Sequence, residues 1–498
     1  MRHSECYDWV DLVNRSKDTQ RVNQPDAIKT NSAPARKGRS LLASVWAVLL
    51  ATLFFLWPAI YNGFPLLMAD SMTYLADGLP VARALFLHRF SDYYGMRSLI
   101  YSLVIFPFHW NINPWPVAVF QSLLTAWVLW VLVRSFSTRY VVARFLALAA
   151  VLSLFSSIAW YTCFMMPDIL GPLAYLAIFL LFFARGSLTR LENAGLFLIA
   201  WWGITAHSTH LLLAGALFVL LVLYAAFERR PFRHSAPALG EIAAALVLAV
   251  LIPIALHTYL DGKPSLDGQR PPYLTARVIA DGPGRWYLES HCATEYWALC
   301  AHVKNLPTDP SDFLWGDGSI YDSASEDERK QLEAQDVPFV LATIRAYPRQ
   351  QFLQSASNFR DQLRAFGLYD FDSSEWTLVQ FNETIPASRA SYLRGREAHD
   401  ALPLDLLTNI QFWTIVLSLV VIAGLTPFLW RRHSKGLPGL ALVVFSMVLL
   451  NAFLTGVLSI VDERYQCRVI WLIPLLAGVF VLDWLEHRTE RLGATCTI

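Results

Sequence analysis

Residues 41–74 read LLASVWAVLLATLFFLWPAIYNGFPLLMADSMTY, and this stretch contains the two features that decide the fold. Residues 41–60 form an apolar run long enough to cross the hydrocarbon core of a bilayer. Tyr61–Tyr74 follow, with the carboxylate of Asp70 at the place where a chain leaving a bilayer would meet water again. A carboxylate near a membrane interface costs free energy unless it faces water, a partner or a substrate. Asp70 is therefore the first candidate functional residue.

The composition of the whole chain agrees with a membrane protein. Of the 498 residues, 55% are hydrophobic and 16% are charged, and the mean hydropathy is +0.39. A soluble protein of this length would carry about 25% charged residues. The net charge of +1 does not indicate a nucleic-acid partner. We predict an all-α polytopic membrane protein with about ten transmembrane helices, and a fully soluble enzyme is excluded.

Ten apolar runs are long enough to be read as membrane spans, and they divide the chain into regions. The predicted spans are residues 41–60, 115–133, 141–160, 167–184, 193–207, 209–227, 239–259, 408–430, 437–458 and 469–485. The predicted regions are a disordered basic tail (1–40), helices 1–7 with a long first outer loop at 61–114 (41–260), a mostly helical outer-face domain (261–405), helices 8–10 (406–486) and a second tail (487–498).

Positive charge in the short connections predicts the orientation, because cytoplasmic loops are enriched in lysine and arginine. With the N-terminal tail inside, every predicted inside connection is basic: Arg134, Arg139 and Arg144; Arg185 and Arg190; Arg229, Arg230 and Arg233; Arg431, Arg432 and Lys435; Arg488 and Arg491. Both termini are then cytoplasmic. The outer face receives the Asp70 loop, the 261–405 domain and nearly all the polar residues of chemical interest.

Two of the six cysteines, Cys292 and Cys300, lie close together in the hydrophilic domain. A disulfide between them would suit an oxidising compartment. Two unrelated thiols are an equal alternative, because spacing alone does not fix the geometry that a disulfide needs.

Asp70 and Asp168 are the candidate catalytic carboxylates. Asp70 could act as a general base that removes a proton from an acceptor hydroxyl, or it could simply cap a helix. Asp168 follows Pro167 at the predicted outer start of a span, where it could orient an acceptor or complement the helix N-terminus. Together the two could hold a divalent metal such as Mg²⁺ or Mn²⁺. No sequence motif specifies a cofactor.

Two further groups are candidates for substrate binding. His207 and His210 share a helical face, and contact with a phosphate or sugar competes with a plain interfacial role. Arg464 and Arg468, which are four residues apart, also share one helical face. They lie on the predicted outer side, where positive charge is unusual. Paired guanidinium groups suit a lipid-linked phosphate, and ion pairing with Asp462 and Glu463 is the alternative.

The pattern as a whole resembles the GT-C superfamily of integral-membrane glycosyltransferases. The resemblance covers most of the chain. It depends on the acidic first outer loop at Ala69-Asp70-Ser71-Met72-Thr73-Tyr74, the many later spans, the large outer domain and the Arg464-Tyr465 segment before a late span. Some members have two adjacent acids in the first loop, whereas Asp70 here has no acidic neighbour before Asp77.

That resemblance is nearest to bacterial members and implies a transferase of the bacterial inner membrane. The enzyme would move a sugar from a polyprenyl-phosphate carrier to a glycan, lipid or protein acceptor, usually with inversion. Asp70 would be the base, Asp168 a second acid, and Arg464 and Arg468 the phosphate ligands. Tyr74 and Tyr465 belong to the same two motifs and would line the substrate site. No nucleotide-binding motif is present to suggest a soluble donor. A non-enzymatic transporter of lipid-linked saccharide and a subunit of an envelope-assembly complex are the alternatives.

Overall fold

The computed structural model describes residues 33–228, 232–268, 270–316, 318–371, 375–430 and 436–495. The predicted tail over residues 1–32 lies outside this range, as do five residues of the basic connections: Arg229, Arg230, Arg431, Arg432 and Lys435. The side chains of Arg233 and Arg491 are also outside it. By its contacts the chain divides into Met1–Ser44 and Val45–Ile498, and everything that follows concerns Val45–Ile498.

The described residues confirm the all-α prediction. The first half of the chain contains α1 (Ala33–Phe55), α2 (Trp57–Asn62), α3 (Ala69–Leu87), α4 (Leu99–His109), α5 (Trp115–Phe136), α6 (Val141–Phe155), α7 (Ile158–Cys163), α8 (Leu170–Phe183), α9 (Arg190–Thr205), α10 (Ser208–Phe227) and α11 (Phe232–Asp261). In these described parts the single β-type contact is an isolated parallel bridge between Leu66 and Phe164.

The second half contains eleven further helices. They are α12 (Tyr273–Ala280), α13 (Pro283–His291), α14 (Pro310–Leu314), α15 (Glu326–Ala346), α16 (Pro348–Arg364), α17 (Glu375–Thr384), α18 (Arg389–Tyr392), α19 (Leu404–Trp430), α20 (Leu437–Leu458), α21 (Glu463–Ile470) and α22 (Leu472–Thr495). Short 3₁₀ turns lie at Pro167–Ile169, Arg185–Ser187, Ala298–Asn305, Pro386–Ser388 and Glu397–His399.

Each of the ten apolar runs is helical, but within the described residues six helical segments are long and apolar enough to cross a membrane. They are Trp115–Phe136, Ser208–Phe227, Ser235–Asp261, Leu404–Leu429, Leu437–Leu458 and Glu463–Arg488. The other four runs form shorter or less apolar helices, or broken ones. A membrane protein is therefore supported, and the count of ten spans stays a prediction.

The first run shows how a predicted span is broken. The helix is interrupted at Leu56, because Pro58 has no N–H to offer the carbonyl of Phe54. The hydroxyl of Ser153 donates to that carbonyl instead, and Thr162 donates to the next one, Phe55, at 3.2 Å. Side chains of neighbouring helices therefore satisfy the freed backbone groups, as buried polar groups require.

Ion pairs join helix ends that the charge pattern assigns to one side. Arg134 at the end of α5 pairs with Glu192 at 2.7 Å, and Arg144 in α6 pairs with Glu486 near the end of α22. After α8, Arg185 pairs with Glu241 of α11 at 2.5 Å. The basic residues that predict orientation thus also connect neighbouring helices.

The region predicted as the outer-face domain contributes to two hydrophobic clusters. Residues 276–339 form a cluster of their own around Leu288, Phe313 and Phe339. Beside this cluster, Cys292 and Cys300 form a disulfide, which decides between the two alternatives left open by the sequence. Residues 366–407 pack instead into the main cluster of the long helices, with Phe371 and Phe381 among its buried members.

Candidate functional site

Two loops that are far apart in sequence are joined by the bridge at Leu66. The Leu66 N–H donates to the carbonyl of Cys163 at 3.0 Å, and the Met165 N–H donates to the carbonyl of Leu66 at 3.0 Å. Asp70 lies four residues after Leu66, and Asp168 lies four residues after Phe164, the other residue of the bridge. Backbone pairing therefore brings the two candidate carboxylates to one place.

Buried polar side chains hold both loops from behind. The carboxylate of Glu397 is fully buried. It accepts hydrogen bonds from the N–H of Leu67 at 2.9 Å and from the side-chain amide of Asn62 at 3.3 Å. On the other loop, the amide of Gln121 donates to the carbonyls of Thr162 and Phe164 at 3.2 and 2.8 Å. These hydrogen bonds fix the loops that carry the site.

Asp70 lies in the first turn of α3 and pairs with an arginine that the sequence analysis did not select. Arg97 Nη2 is 2.5 Å from Asp70 Oδ1. Arg97 precedes α4, and the neighbouring Ser98 hydroxyl donates to the carbonyl of Thr205 at 2.8 Å. The side chains of Asp70 and Arg97 are 25% and 19% exposed, so this pair can be reached from outside.

The segment before Arg97 is held by the buried carboxylate of Asp77. Its two oxygens accept the N–H groups of Tyr94 and Gly95 at 2.8 and 3.1 Å. Gly95 has a φ of +66°, which a residue without Cβ adopts at no steric cost. Burial raises the pKa of Asp77 to about 6, and the two N–H groups oppose that shift.

Electrostatics keep Asp70 ionised at neutral pH. Burial raises the pKa of Asp70, but the adjacent guanidinium groups of Arg97 and Arg464 outweigh burial, and the pKa lies below its ordinary value. Arg464 Nη1 is 3.7 Å from Asp70 Oδ2. The carboxylate is therefore an anion held between two cations.

Arg464 is the centre of the charged network, because it lies between both acids. Its Nε is 3.9 Å from Asp168 Oδ1, in addition to the contact with Asp70. The Arg464 side chain is 8% exposed, and its Nε has no hydrogen-bond partner in the described structure. The helix that carries it, α21, is capped by Asp462, whose carboxylate accepts the N–H of Arg464 at 2.8 Å.

Arg468 completes the network one helical turn later and is almost fully buried. Arg468 Nη1 is 3.3 Å from Asp168 Oδ1, and its side chain is 1% exposed. Its Nη2 donates to Asn451 Oδ1 at 2.9 Å and to Thr209 Oγ1 at 3.4 Å. These contacts make Arg468 a buried support of Asp168.

The two candidate histidines have different surroundings. His207 is the N-cap of α10, where its Nδ1 lies 2.8 Å from the hydroxyl of Thr209, which also contacts Arg468. His210 Nδ1 instead bonds the carbonyl of Gly203 at 2.8 Å, between helices. His207 therefore joins the network through Thr209, and His210 packs behind it.

The two candidate tyrosines also differ in accessibility. Tyr74 is 1% exposed and packs edge-on against Tyr101, with ring centroids 5.0 Å apart. Tyr465 is half-buried, and the guanidinium carbons of Arg464 and Arg468 lie 5.0 and 5.1 Å from its ring centroid. Tyr465 thus covers both arginines with an aromatic face.

A cavity opens beside this aromatic face. It is small, with a volume of about 40 Å³, and partly open to solvent, and its lining residues are Tyr273, Pro310, Ser311, Leu314, Trp315, Ser459, Ile460 and Tyr465. Tyr273 and Trp315 have ring centroids 6.2 Å apart, and the guanidinium carbon of Arg97 lies 5.9 Å from the Trp315 centroid. The cavity therefore lies between Tyr465, which covers two arginines of the network, and Trp315, which contacts Arg97.

The residues of the network do not fit a divalent cation. Both carboxylates are engaged by guanidinium groups, and three arginines against two aspartates leave an excess of one positive charge. Among the described residues, no group of three or more His, Cys, Asp or Glu side chains is arranged to hold a metal. The arrangement suits an anion, because adjacent cations attract phosphate and repel a metal ion.

Comparison of the chain with protein-family models, with curated proteins and with solved structures gives no match.

The structure brings together Asp70, Asp168, Arg464, Arg468, Tyr465 and His207, and it places Tyr74 and His210 in the packing behind them. Sequence reasoning missed Arg97 and Asn451. Arg97 carried a usable signal, because it is a positive charge on the predicted outer side, the argument that selected Arg464. Asn451 lies inside an apolar run, where a single amide marks a buried polar contact.

Proposed function

We propose that this chain is a membrane glycosyltransferase of the GT-C type. It would move a sugar from a polyprenyl-phosphate carrier to an acceptor on the non-cytoplasmic face. The single observation that carries the proposal is the ion-pair network in which Arg464 lies within 4 Å of both Asp70 and Asp168. A carboxylate beside clustered guanidinium groups offers a proton acceptor and a phosphate site next to each other.

In the proposed reaction the acceptor hydroxyl attacks the anomeric carbon of the donor sugar. The new oxygen–carbon bond forms as the bond from that carbon to the phosphate oxygen breaks, and the hydroxyl proton passes to Asp70. The polyprenyl phosphate leaves with the electron pair of the broken bond. Attack opposite the leaving group inverts the anomeric configuration.

The lowered pKa of Asp70 is compatible with this role. Glycosyl transfer passes through an oxocarbenium-like transition state, in which charge develops on the sugar. We infer that the acceptor proton leaves late, so that an ionised carboxylate of low basicity is sufficient. The same negative charge, close to the anomeric carbon, stabilises the developing positive charge.

The arginines divide the work on the phosphate. Arg97 lies against Trp315 and Arg464 lies against Tyr465, two residues of the cavity wall, and we infer that their positive charge stabilises the leaving phosphate. In this proposal Arg468 contributes its charge from behind, because Asn451 and Asp168 hold its guanidinium. The aromatic cavity beside Tyr465 provides flat apolar faces for the sugar rings.

The test is release of free polyprenyl phosphate by purified protein in lipid nanodiscs. The donors are polyprenyl-phosphate-linked hexoses and pentoses, offered with glycan, lipid and peptide acceptors. Asp70→Asn should lower the transfer rate by about 10²–10⁴-fold, the usual contribution of a general base. Asp92→Asn is the matched control, because Asp92 is an exposed acid of the same outer segment.

Near-normal transfer by a folded Asp70→Asn protein would remove the mechanism. Movement of the intact donor across the bilayer without release of free carrier would instead favour the transporter alternative. Absence of any transfer, together with loss of function in cells on changes in the 276–339 cluster but not in Asp70→Asn, would favour the assembly-subunit alternative.

A further inference from the structure

An exposed apolar stripe runs along α15 and α16. Val337, Leu341 and Ile344 are spaced i, i+4 and i+7, so they share one face of α15, and they are 49%, 46% and 39% exposed. On α16, Phe352 and Leu353 are 71% and 57% exposed. Soluble surfaces seldom leave so many large apolar side chains together in water. We call these five residues the elbow stripe.

The elbow stripe continues onto a candidate membrane-spanning helix. Phe359 lies seven residues after Phe352, on the same face of α16, and its ring centroid is 6.4 Å from that of Phe453 in α20. On α20, Phe445, Leu449 and Phe453 repeat every four residues, and all three are exposed. Since α20 is apolar and long enough to cross a membrane, we assign this face to lipid.

The junction between α16 and α20 is tight. A Cβ atom at Gly456 would lie 2.8 Å from the Asn358 carbonyl oxygen and from Gln362 Cβ, so only glycine permits this approach. Gln362 also exchanges two hydrogen bonds with the backbone of Asp462, at 2.7 and 3.0 Å. These contacts therefore fix the position of α16 against the C-terminal end of α20.

Exposed arginines lie on the helices that carry the stripe. They are Arg345, Arg349 and Arg360, of which Arg360 also pairs with Asp361 at 3.0 Å. A helix pair with an apolar face and flanking arginines is typical of segments that lie in the membrane interface, where arginine meets lipid phosphate.

We infer that the elbow stripe is inserted into the lipid leaflet on the network side of the membrane. The bilayer is the occupant because the contact between Phe359 and Phe453 joins the helix of the stripe to the lipid-facing side of α20. Insertion would fix the 276–339 cluster relative to the bilayer, and with it the side chains of Tyr273 and Trp315 beside Arg97. This inference does not depend on the reaction that the network catalyses.

Spin labels test the insertion directly. The background carries Cys6→Ser and Cys496→Ser, because Cys163 and Cys467 are buried and Cys292 and Cys300 are paired. Nitroxides are attached at Phe352→Cys and Leu353→Cys in vesicles of phosphatidylethanolamine and phosphatidylglycerol. The matched control is Tyr296→Cys, because Tyr296 is 78% exposed in the same region.

For both elbow labels, the ratio of collisions with oxygen to collisions with a water-soluble nickel chelate should be several-fold higher than at position 296. An equal ratio would place the stripe in water and overturn the inference. Protection from both reagents would show a protein partner and would also overturn it. On the unmodified chain, a lipid carrying a diazirine in its acyl chain should label peptides covering 337–353 but not those covering 293–299, and the reverse pattern would contradict insertion.

Discussion

Arg97 Nη2 lies 2.5 Å from Asp70 Oδ1, and this ion pair links the start of α3 to the segment that precedes α4. The pair is partly exposed at the edge of the aromatic cavity, whereas the ion pair of Arg468 with Asp168 at the other end of the network is almost fully buried. The network thus has an accessible end, which we assign to substrate, and a buried end, which we assign to support.

Arg97 should set the pH dependence of transfer. Its charge lowers the pKa of Asp70, so its removal raises that pKa. An opposite charge at this distance favours the ionised form of a carboxyl group. In Arg97→Gln the acidic limb of the kcat/KM profile should therefore move to higher pH, and Arg97→Lys should move it less. The measurement is transfer rate from pH 3.5 to 8, and an unmoved limb in Arg97→Gln would contradict the coupling.

Arg464 and Arg468 should fail in different ways. Arg464→Gln should weaken binding of sugar-free polyprenyl phosphate and leave the protein folded, because Arg97 still pairs with Asp70 and Arg468 still pairs with Asp168. Arg468→Gln leaves buried Asp168 without its closest cation, and such a loss typically costs about 3–5 kcal/mol. Thermal unfolding in detergent and binding by calorimetry separate the two effects. Equal loss of stability in both variants would contradict the division between accessible and buried ends.

Asp77 should make the stability of the protein fall as pH rises. Its pKa of about 6 in the folded state exceeds the ordinary value of 3.8, so the folded state binds more protons between these values. Its contribution to stability is complete below pH 4 and is lost as pH rises through 6, and it amounts to roughly 3 kcal/mol. Asp77→Asn removes this titration.

We subtract the melting temperature of the unmodified protein from that of Asp77→Asn. This difference should become more positive as pH rises from about 4.5 to about 7.5. Asp92→Asn is again the control and should show no such trend, because Asp92 is exposed. A difference for Asp77→Asn that does not change with pH would show that its buried carboxyl does not titrate in this window.

The disulfide should stabilise the 276–339 cluster without acting in transfer. Closing the short loop from Cys292 to Cys300 is worth about 2–3 kcal/mol by loop-entropy arguments. The double variant Cys292→Ser, Cys300→Ser should increase the rate of proteolysis within this region and keep the transfer rate within about twofold. Unchanged proteolysis, with a free-thiol assay that finds both cysteines reduced in the unmodified protein, would contradict the disulfide.

The helical fold could be predicted from sequence because each apolar run reports its own environment. A run such as 437–458 needs no knowledge of its neighbours to be recognised as a helix. The breaks were less visible. Pro58 signals one of them. The carbonyl groups that this break leaves unpaired accept hydrogen bonds from Ser153 and Thr162, which approach them only in the folded chain.

The sequence by itself determined the all-α class, the positions of the apolar helices and the candidates Asp70, Asp168, Arg464 and Arg468, because periodicity and charge in an apolar chain are local properties. Only the tertiary structure decided which of these residues meet. The Leu66–Phe164 bridge brings two loops together, Arg97 enters from a third and α21 brings Arg464 between the acids. Ion pairing depends on distances of a few ångströms, and distances between remote segments are fixed by packing.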